Sequence, residues 1–166
     1  MIIKSFDLNK IDWKKNQFFL LYGENQGHKE EIIKKKFKDY YLNKSYCYEE
    51  NEIINNEDIF YNNILSKSFF ENEKLIIISR ATDKILKIIE EIIKKNIEDL
   101  IIVINSNNLE KKSKLRNFFE KNQQTICIPF YEDNSQTLSG IASTFFKQLK
   151  IPISQQLINL VVERCR

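Results

Sequence analysis

The 166-residue sequence predicts an α/β fold in three layers, a parallel sheet with helices on both faces, followed by a small helical region. Two observations carry this reading. Short apolar runs, mostly continuous rather than alternating, recur along the chain, as strands buried on both sides do. Between them lie longer stretches with apolar residues at helical spacing, so strand and helix alternate until about Asp133. Alternation of that kind is economically folded as βαβ units around a parallel sheet.

FFLLY (18–22) is the first buried strand. Residues 28–42 read as a helix, with Ile33, Phe37, Tyr40 and Tyr41 on one side. SYCYEE (45–50) reads as a second strand in which Tyr46 and Tyr48 alternate with Ser45 and Cys47. A helix is expected over residues 56–66, with Asn55 or Asn56 as its cap and acids in its first turn. KLIIIS (74–79) is the third strand, and Ile85, Ile88, Ile89, Ile92 and Ile93 stripe the helix after it. LIIVIN (100–105), a helix over 110–121 through Leu115, Phe118 and Phe119, and the strand TICIPFY (125–131) complete the series.

From Asp133 to Ser135 the pattern changes. Leu138, Ile141, Ala142, Phe145, Phe146 and Leu149 stripe one helix, Pro152 interrupts, and Ser154 caps another helix carrying Leu157, Val161, Val162 and Cys165. The expected division is residues 1–134 for the α/β domain and 135–166 for the start of a small helical domain. The apolar helical pattern still runs at Arg166, which reads as a truncated second domain.

Composition narrows the function. With 42% hydrophobic and 30% charged residues, three Gly and two Pro, this is a globular composition rather than a disordered or fibrous one. No apolar run approaches the roughly 20 residues that span a bilayer. The opening MIIKSFDLNK lacks the apolar block and cleavage site of a secretion signal, so a cytoplasmic location without membrane association is expected. The 26 basic and 23 acidic residues nearly cancel to a net +3, unlike the strong basic excess of a dedicated nucleic-acid binder. Cys47, Cys127 and Cys165 are widely spaced and outside any CxxC or Cys/His cluster, which suits reduced, buried thiols and argues against a metal site.

The stretch LLYGENQGHKEE (20–31) approaches a phosphate-binding loop. Such a loop needs G-x-x-x-x-G-K-[ST], in which backbone N–H groups curl around phosphate, the lysine reaches the terminal phosphates and the hydroxyl holds magnesium. Gly23 and Lys29 have the right separation, but His28 stands at the second glycine, Gly27 comes one residue early and Glu30 replaces the Ser or Thr. Glu24 adds another carboxylate. The candidate strand ends Ile78-Ser79-Arg80 and Ile104-Asn105-Ser106 lack the acidic pair that would hold magnesium and orient water. Gly23, Gly27 and Lys29 therefore read as a degenerate loop kept for its geometry, with no cofactor. His28 reads as a surface or turn histidine.

In SKSFFENEKLIII (66–78), Phe69 and Phe70 are adjacent, so on a helix they project about 100° apart and cannot both point into one core. The pair is either the seal between helix and strand or an aromatic anchor for a partner's pocket, where each ring contributes on the order of 2 kcal/mol.

The order FLLYGENQGHKEE, SKSFFENEKLIII, LIIVINSNNLEKKSKLRNFFEK and LINLVVERC resembles the N-terminal part of the delta subunit of bacterial DNA polymerase III, the clamp-loader subunit that binds and opens the beta sliding clamp. The closest piece is Leu109 to Phe119, which is similar to the family's L-D-K-R-S-K-L-R-x-x-F segment. The resemblance implies a module like a P-loop or AAA+ ATPase, without a working nucleotide site, followed by a small lid-like helical domain. It implies clamp binding through Ser68, Phe69 and Phe70, where family members more often carry Leu-Phe. The implied partners are the beta sliding clamp and the other loader subunits (gamma/tau and delta prime), with DNA contacted mainly through the assembled complex. The implied role is that of a subunit of a DNA-directed DNA polymerase, a nucleotidyltransferase holoenzyme, with no catalysis by this chain. Two alternatives stand beside it: a divergent nucleotide-binding enzyme using Lys29, and a DNA-binding module using the lysine-rich helices around Lys34 and Lys111.

Overall fold

The apolar runs become the strands of one sheet: β1 (Phe18–Tyr22), β2 (Ser45–Glu49), β3 (Lys74–Ser79), β4 (Leu100–Asn105) and β5 (Thr125–Pro129). A computed structural model describes residues 2–3, 8, 11–13, 15–41, 45–65 and 74–164. The strand order is β2-β3-β4-β1-β5, and all four pairings are parallel. β1 lies between β4 and β5 and is buried along its whole length, which is why its sequence is apolar without alternation. Past β5, the N-terminal segment adds a parallel bridge, Ile3 N–H donating to the Cys127 carbonyl at 3.0 Å.

Successive side chains of each strand enter opposite cores. One face gathers Leu20, Ile78, Ile102 and Ile104 with Ile53, Phe60, Ile89 and Phe119 from the helices above. The other gathers Phe19, Leu21, Ile77 and Val103 with Ile32, Phe37 and Tyr41. Trp13 stacks on Phe19 at 5.5 Å between ring centroids, and Phe37 meets Phe19 edge-on at 5.0 Å. The three-layer α/β architecture is the one the sequence predicts.

Helix boundaries differ from expectation where capping governs them. α1 (Gln26–Ile32) begins two residues before the expected start, because Asn25 accepts a bond from His28 N–H. It continues as a π-helical segment, Ile33–Lys38, and a short α2 (Asp39–Tyr41). The side chain of Tyr40 and residue 42 lie outside the described set. The helix expected over 56–66 is α4 (Glu57–Leu65), and an unexpected helix, α3 (Glu50–Asn55), precedes it. α3 starts directly from β2 through a capping box in which Glu49 accepts from Glu52's backbone and Glu52 accepts from Glu49's. α5 (Leu86–Lys95) buries Ile88, Ile89 and Ile92 as its stripe predicts, and Asn96 ends it in the left-handed region at φ 45°. α6 spans Lys114–Lys121 rather than starting at 110, because Ser113 caps it.

Of the three cysteines expected to be buried, Cys127 is, and burial pushes its thiol up to about 12. Cys47 is exposed, because β2 is an edge strand with no fully buried residue. Cys165 lies outside the described residues.

The chain divides into two compact units, Met1–Phe130 and Tyr131–Arg166. The second consists of α7 (Ser135–Gln148) and α8 (Gln155–Arg164), packed on each other. Asn134 caps α7, and Ser154 accepts from Leu157 N–H at the start of α8. No described helix is long and apolar enough to cross a membrane.

Candidate functional site

The turn from β1 into α1 brings Gly23, Gly27 and Lys29 to the C-terminal edge of the sheet. Gly23 has φ 120°, and a Cβ there would lie 2.1 Å from the Phe130 carbonyl oxygen. Both facts require glycine. Gly23 N–H donates to the Asn107 carbonyl at 3.2 Å and Asn25 N–H to the Phe130 carbonyl at 3.3 Å. Ser106 N–H reaches the Leu21 carbonyl at 2.9 Å, so the loop is laced to the ends of both β4 and β5. Gly27 sits in the first turn of α1 with open space where a Cβ would go, and its lack of a side chain is not required. His28, read from the sequence as a surface or turn histidine, lies in the same turn, is half-buried and packs edge-on against Phe130 at 5.0 Å.

Lys29 is wholly buried, and its Nζ donates to the Ser106 carbonyl at 2.6 Å. Burial lowers its pKa, against an opposing pull from the Glu30 carboxylate. The ammonium that would meet a terminal phosphate is thus turned inward to the end of β4. Beside the loop lies a groove of about 1050 Å³ whose walls carry the carboxylates of Glu24, Glu30, Asp39 and Glu49 and the cations of Lys34, Lys38 and Arg80. Glu24 accepts from Asn108 Nδ2 at 3.0 Å and Glu30 from Gln26 Nε2 at 2.8 Å. Arg80, in the left-handed region at φ 56°, pairs with Glu49 at 3.2 Å. The carboxylates offset the cations, so the groove lacks the positive excess that draws a triphosphate. Among the described residues no three metal-ligating side chains stand together.

The motif Leu109 to Phe119 is organised by an aspartate that sequence reading did not single out. Ser113 caps α6 by accepting from Arg116 N–H and donates its own hydroxyl to Asp83 at 2.6 Å. Asp83 also accepts from the Lys114 and Leu115 amides, each at 3.0 Å, where a carboxylate complements a helix N-terminus. Partial burial pushes the Asp83 carboxyl up, but the bonds from Ser113, Leu115 and Lys114 outweigh it and hold the group below its ordinary value. Arg116 donates to Glu120 at 2.7 Å and to the Leu109 carbonyl at 3.0 Å, and lies over the Tyr22 ring at 4.9 Å. The motif's polar residues hold α6 in place. The cap signal was present in Ser113 ahead of Leu115, whereas nothing local marks Asp83 as its partner.

Ser68, Phe69 and Phe70 fall in Ser66 to Glu73, outside the described residues. The flanks of that stretch are described. On one side, Tyr61 of α4 donates to Glu91 of α5 at 2.7 Å. On the other, Lys74 Nζ donates to the Asn63 carbonyl at 2.7 Å and Lys74 N–H to the Asp99 carbonyl at 2.7 Å.

Residues 19–128 match the family described as DNA polymerase III, delta subunit. Among solved structures the fold is similar to the Bacillus subtilis DNA clamp loader delta protein (YqeN), with TM-score 0.65 and 15% identity over 95% of this chain and 51% of that one. It is also similar to domain III of the Thermotoga maritima replication initiation protein DnaA, with TM-score 0.51 and 15% identity over 96% of this chain and 72% of that one. This chain therefore spans about half the length of the clamp loader protein it matches. No curated protein sequence matches it. Since the family match covers β1 through β5 almost entirely, the chain belongs to the DNA polymerase III delta subunit family.

Proposed function

We propose that this chain works by binding, without chemistry of its own: it grips a beta sliding clamp through Ser68, Phe69 and Phe70 and favours the clamp's open form. Family membership carries this reading. Two observations support it. The segment holding the adjacent rings directly precedes β3, and the β1–α1 loop turns its lysine away from any triphosphate. Residues 1–134 then serve as an ATPase-like module without a working nucleotide site, and residues 135–166 belong to a helical, lid-like domain. A ring closed by a modest interface opens when the loader binds the open form more tightly, since a ligand shifts an equilibrium only by its differential affinity. ATP is bound by neighbouring loader subunits, whose movements expose or hide the two rings, and DNA is met mainly by the assembled complex.

The test is binding of a purified bacterial sliding clamp to this chain, measured by surface plasmon resonance. Replacing Phe69 and Phe70 together by Ala is expected to weaken binding roughly 100-fold or more, as loss of two aromatic anchors does, with an unchanged melting temperature. Undiminished affinity in the folded double variant removes the rings from the interface. Tight magnesium-dependent nucleotide binding instead favours an enzyme using Lys29, and steeply salt-dependent DNA binding by the chain alone favours a DNA module using Lys34 and Lys111.

A further inference from the structure

The inward turn of Lys29 accounts for more than the loss of a phosphate contact. Among the described residues it is the cation with no exposed surface, and its ammonium hydrogen-bonds a neutral carbonyl. Desolvating an ammonium is costly unless its hydrogen bonds are replaced within the protein. The replacement here ties α1 to a residue 77 positions away, at the end of β4. Around the same point the backbone of Gly23 bonds to Asn107, Asn25 to Phe130, and Ser106 to Leu21. A phosphate in a working loop draws together backbone N–H groups and a lysine from the strand–helix turn. In this chain the N–H groups of Gly23 and Asn25 and the lysine are satisfied by carbonyls of its own strand ends.

We infer that Lys29 is an internal pin: its ammonium, held by the Ser106 carbonyl, keeps the β1–α1 loop closed against β4 in the absence of any nucleotide. Lys29 is a positioning residue, not a ligand-binding one. Its consequence is a loop with one resting arrangement, so that nucleotide control, on the reading proposed above, enters only through other subunits. The inference stands on the loop's geometry and is independent of the clamp.

Competitive labelling of amines in the native chain, read by mass spectrometry with and without magnesium ATP, tests it directly. Lys29 is expected to react at least about tenfold more slowly than the exposed Lys34 and Lys36, since reaction requires local opening. Magnesium ATP is expected to leave that ratio unchanged. Equal labelling of Lys29 and Lys34 overturns the pin, and so does a nucleotide-dependent change at Lys29. A second measurement follows hydrogen exchange in Lys29→Met, which fills the same channel but cannot donate. The amides of Gly23, Asn25 and Ser106 are expected to exchange roughly tenfold faster, with those of β3 unchanged. Unaltered exchange at those three amides overturns the pin. If the Met variant does not fold, labelling of the unaltered chain decides alone. Failure of that chain to bind a clamp would sink the proposed function and leave these readings untouched.

Discussion

The α/β unit and the α7–α8 pair draw on similar apolar residues and bury them to very different extents. Phe19, Ile89 and Phe119 have no exposed surface, whereas α7 contains no buried residue at all. Ile141 and Phe145 of α7 and its C-cap residue Leu149, spaced four apart, remain 57%, 56% and 52% exposed. A sheet presents a broad apolar face, so a helix laid on it covers its whole stripe. Two helices packed on one another cover only their line of contact. Burial follows from what stands opposite a residue as much as from the residue itself.

The hardest blow to this contrast is Phe19→Ala, which removes a ring packed between Trp13 and Phe37. It is expected to cost about 3–5 kcal/mol in urea unfolding. A loss under about 1 kcal/mol would mean that the sheet's core is no better packed than the helix pair. Gly23→Ala is expected to cost roughly 3 kcal/mol, since both φ and the Phe130 carbonyl oppose a side chain. Its companion Gly27→Ala, at an open helical position, should gain about 0.5–1 kcal/mol, and opposite signs in thermal melts would show which glycine the loop needs.

A polar contact gives a smaller effect. Asp83→Asn weakens the bonds to Ser113, Lys114 and Leu115 and, at a solvent-exposed site, is expected to cost about 1 kcal/mol at neutral pH. Because folding depresses this carboxyl's pKa, its contribution is complete above the unfolded value and is lost as pH falls through the folded one. Chemical unfolding at several pH values should show the gap between the parent chain and the variant closing below about pH 4. The smallest change is expected for Phe145→Ala, within about 0.5 kcal/mol, because the ring is already more than half in water. A larger loss would show that the helix pair depends on that face.

Much of the fold was legible because its signals are local. Four apolar runs marked β1, β3, β4 and β5, the alternation of Tyr46 and Tyr48 with Ser45 and Cys47 marked β2, and the stripe from Ile85 to Ile93 marked its helix almost residue by residue. α3 escaped because its capping box uses Glu49, a residue that also ends β2, so the helix signal was hidden inside the strand signal. Cys47 was expected inside and lies outside, since alternation along a strand does not reveal that the strand stands at an edge. The candidate site was read by resemblance for Ser68, Phe69 and Phe70, which lie outside the described residues, and by spacing for Gly23 and Lys29.

What the amino-acid sequence determined unaided was the layered α/β class, the strands and the departures of residues 23–30 from the phosphate-loop pattern, because each depends on the order of neighbouring residue types. Only tertiary structure decided that Lys29 turns to Ser106 and that Asp83 holds Ser113 and the start of α6. Those bonds join residues 77 and 30 positions apart, and a hydrogen bond at that separation exists only once the sheet has brought its strand ends together.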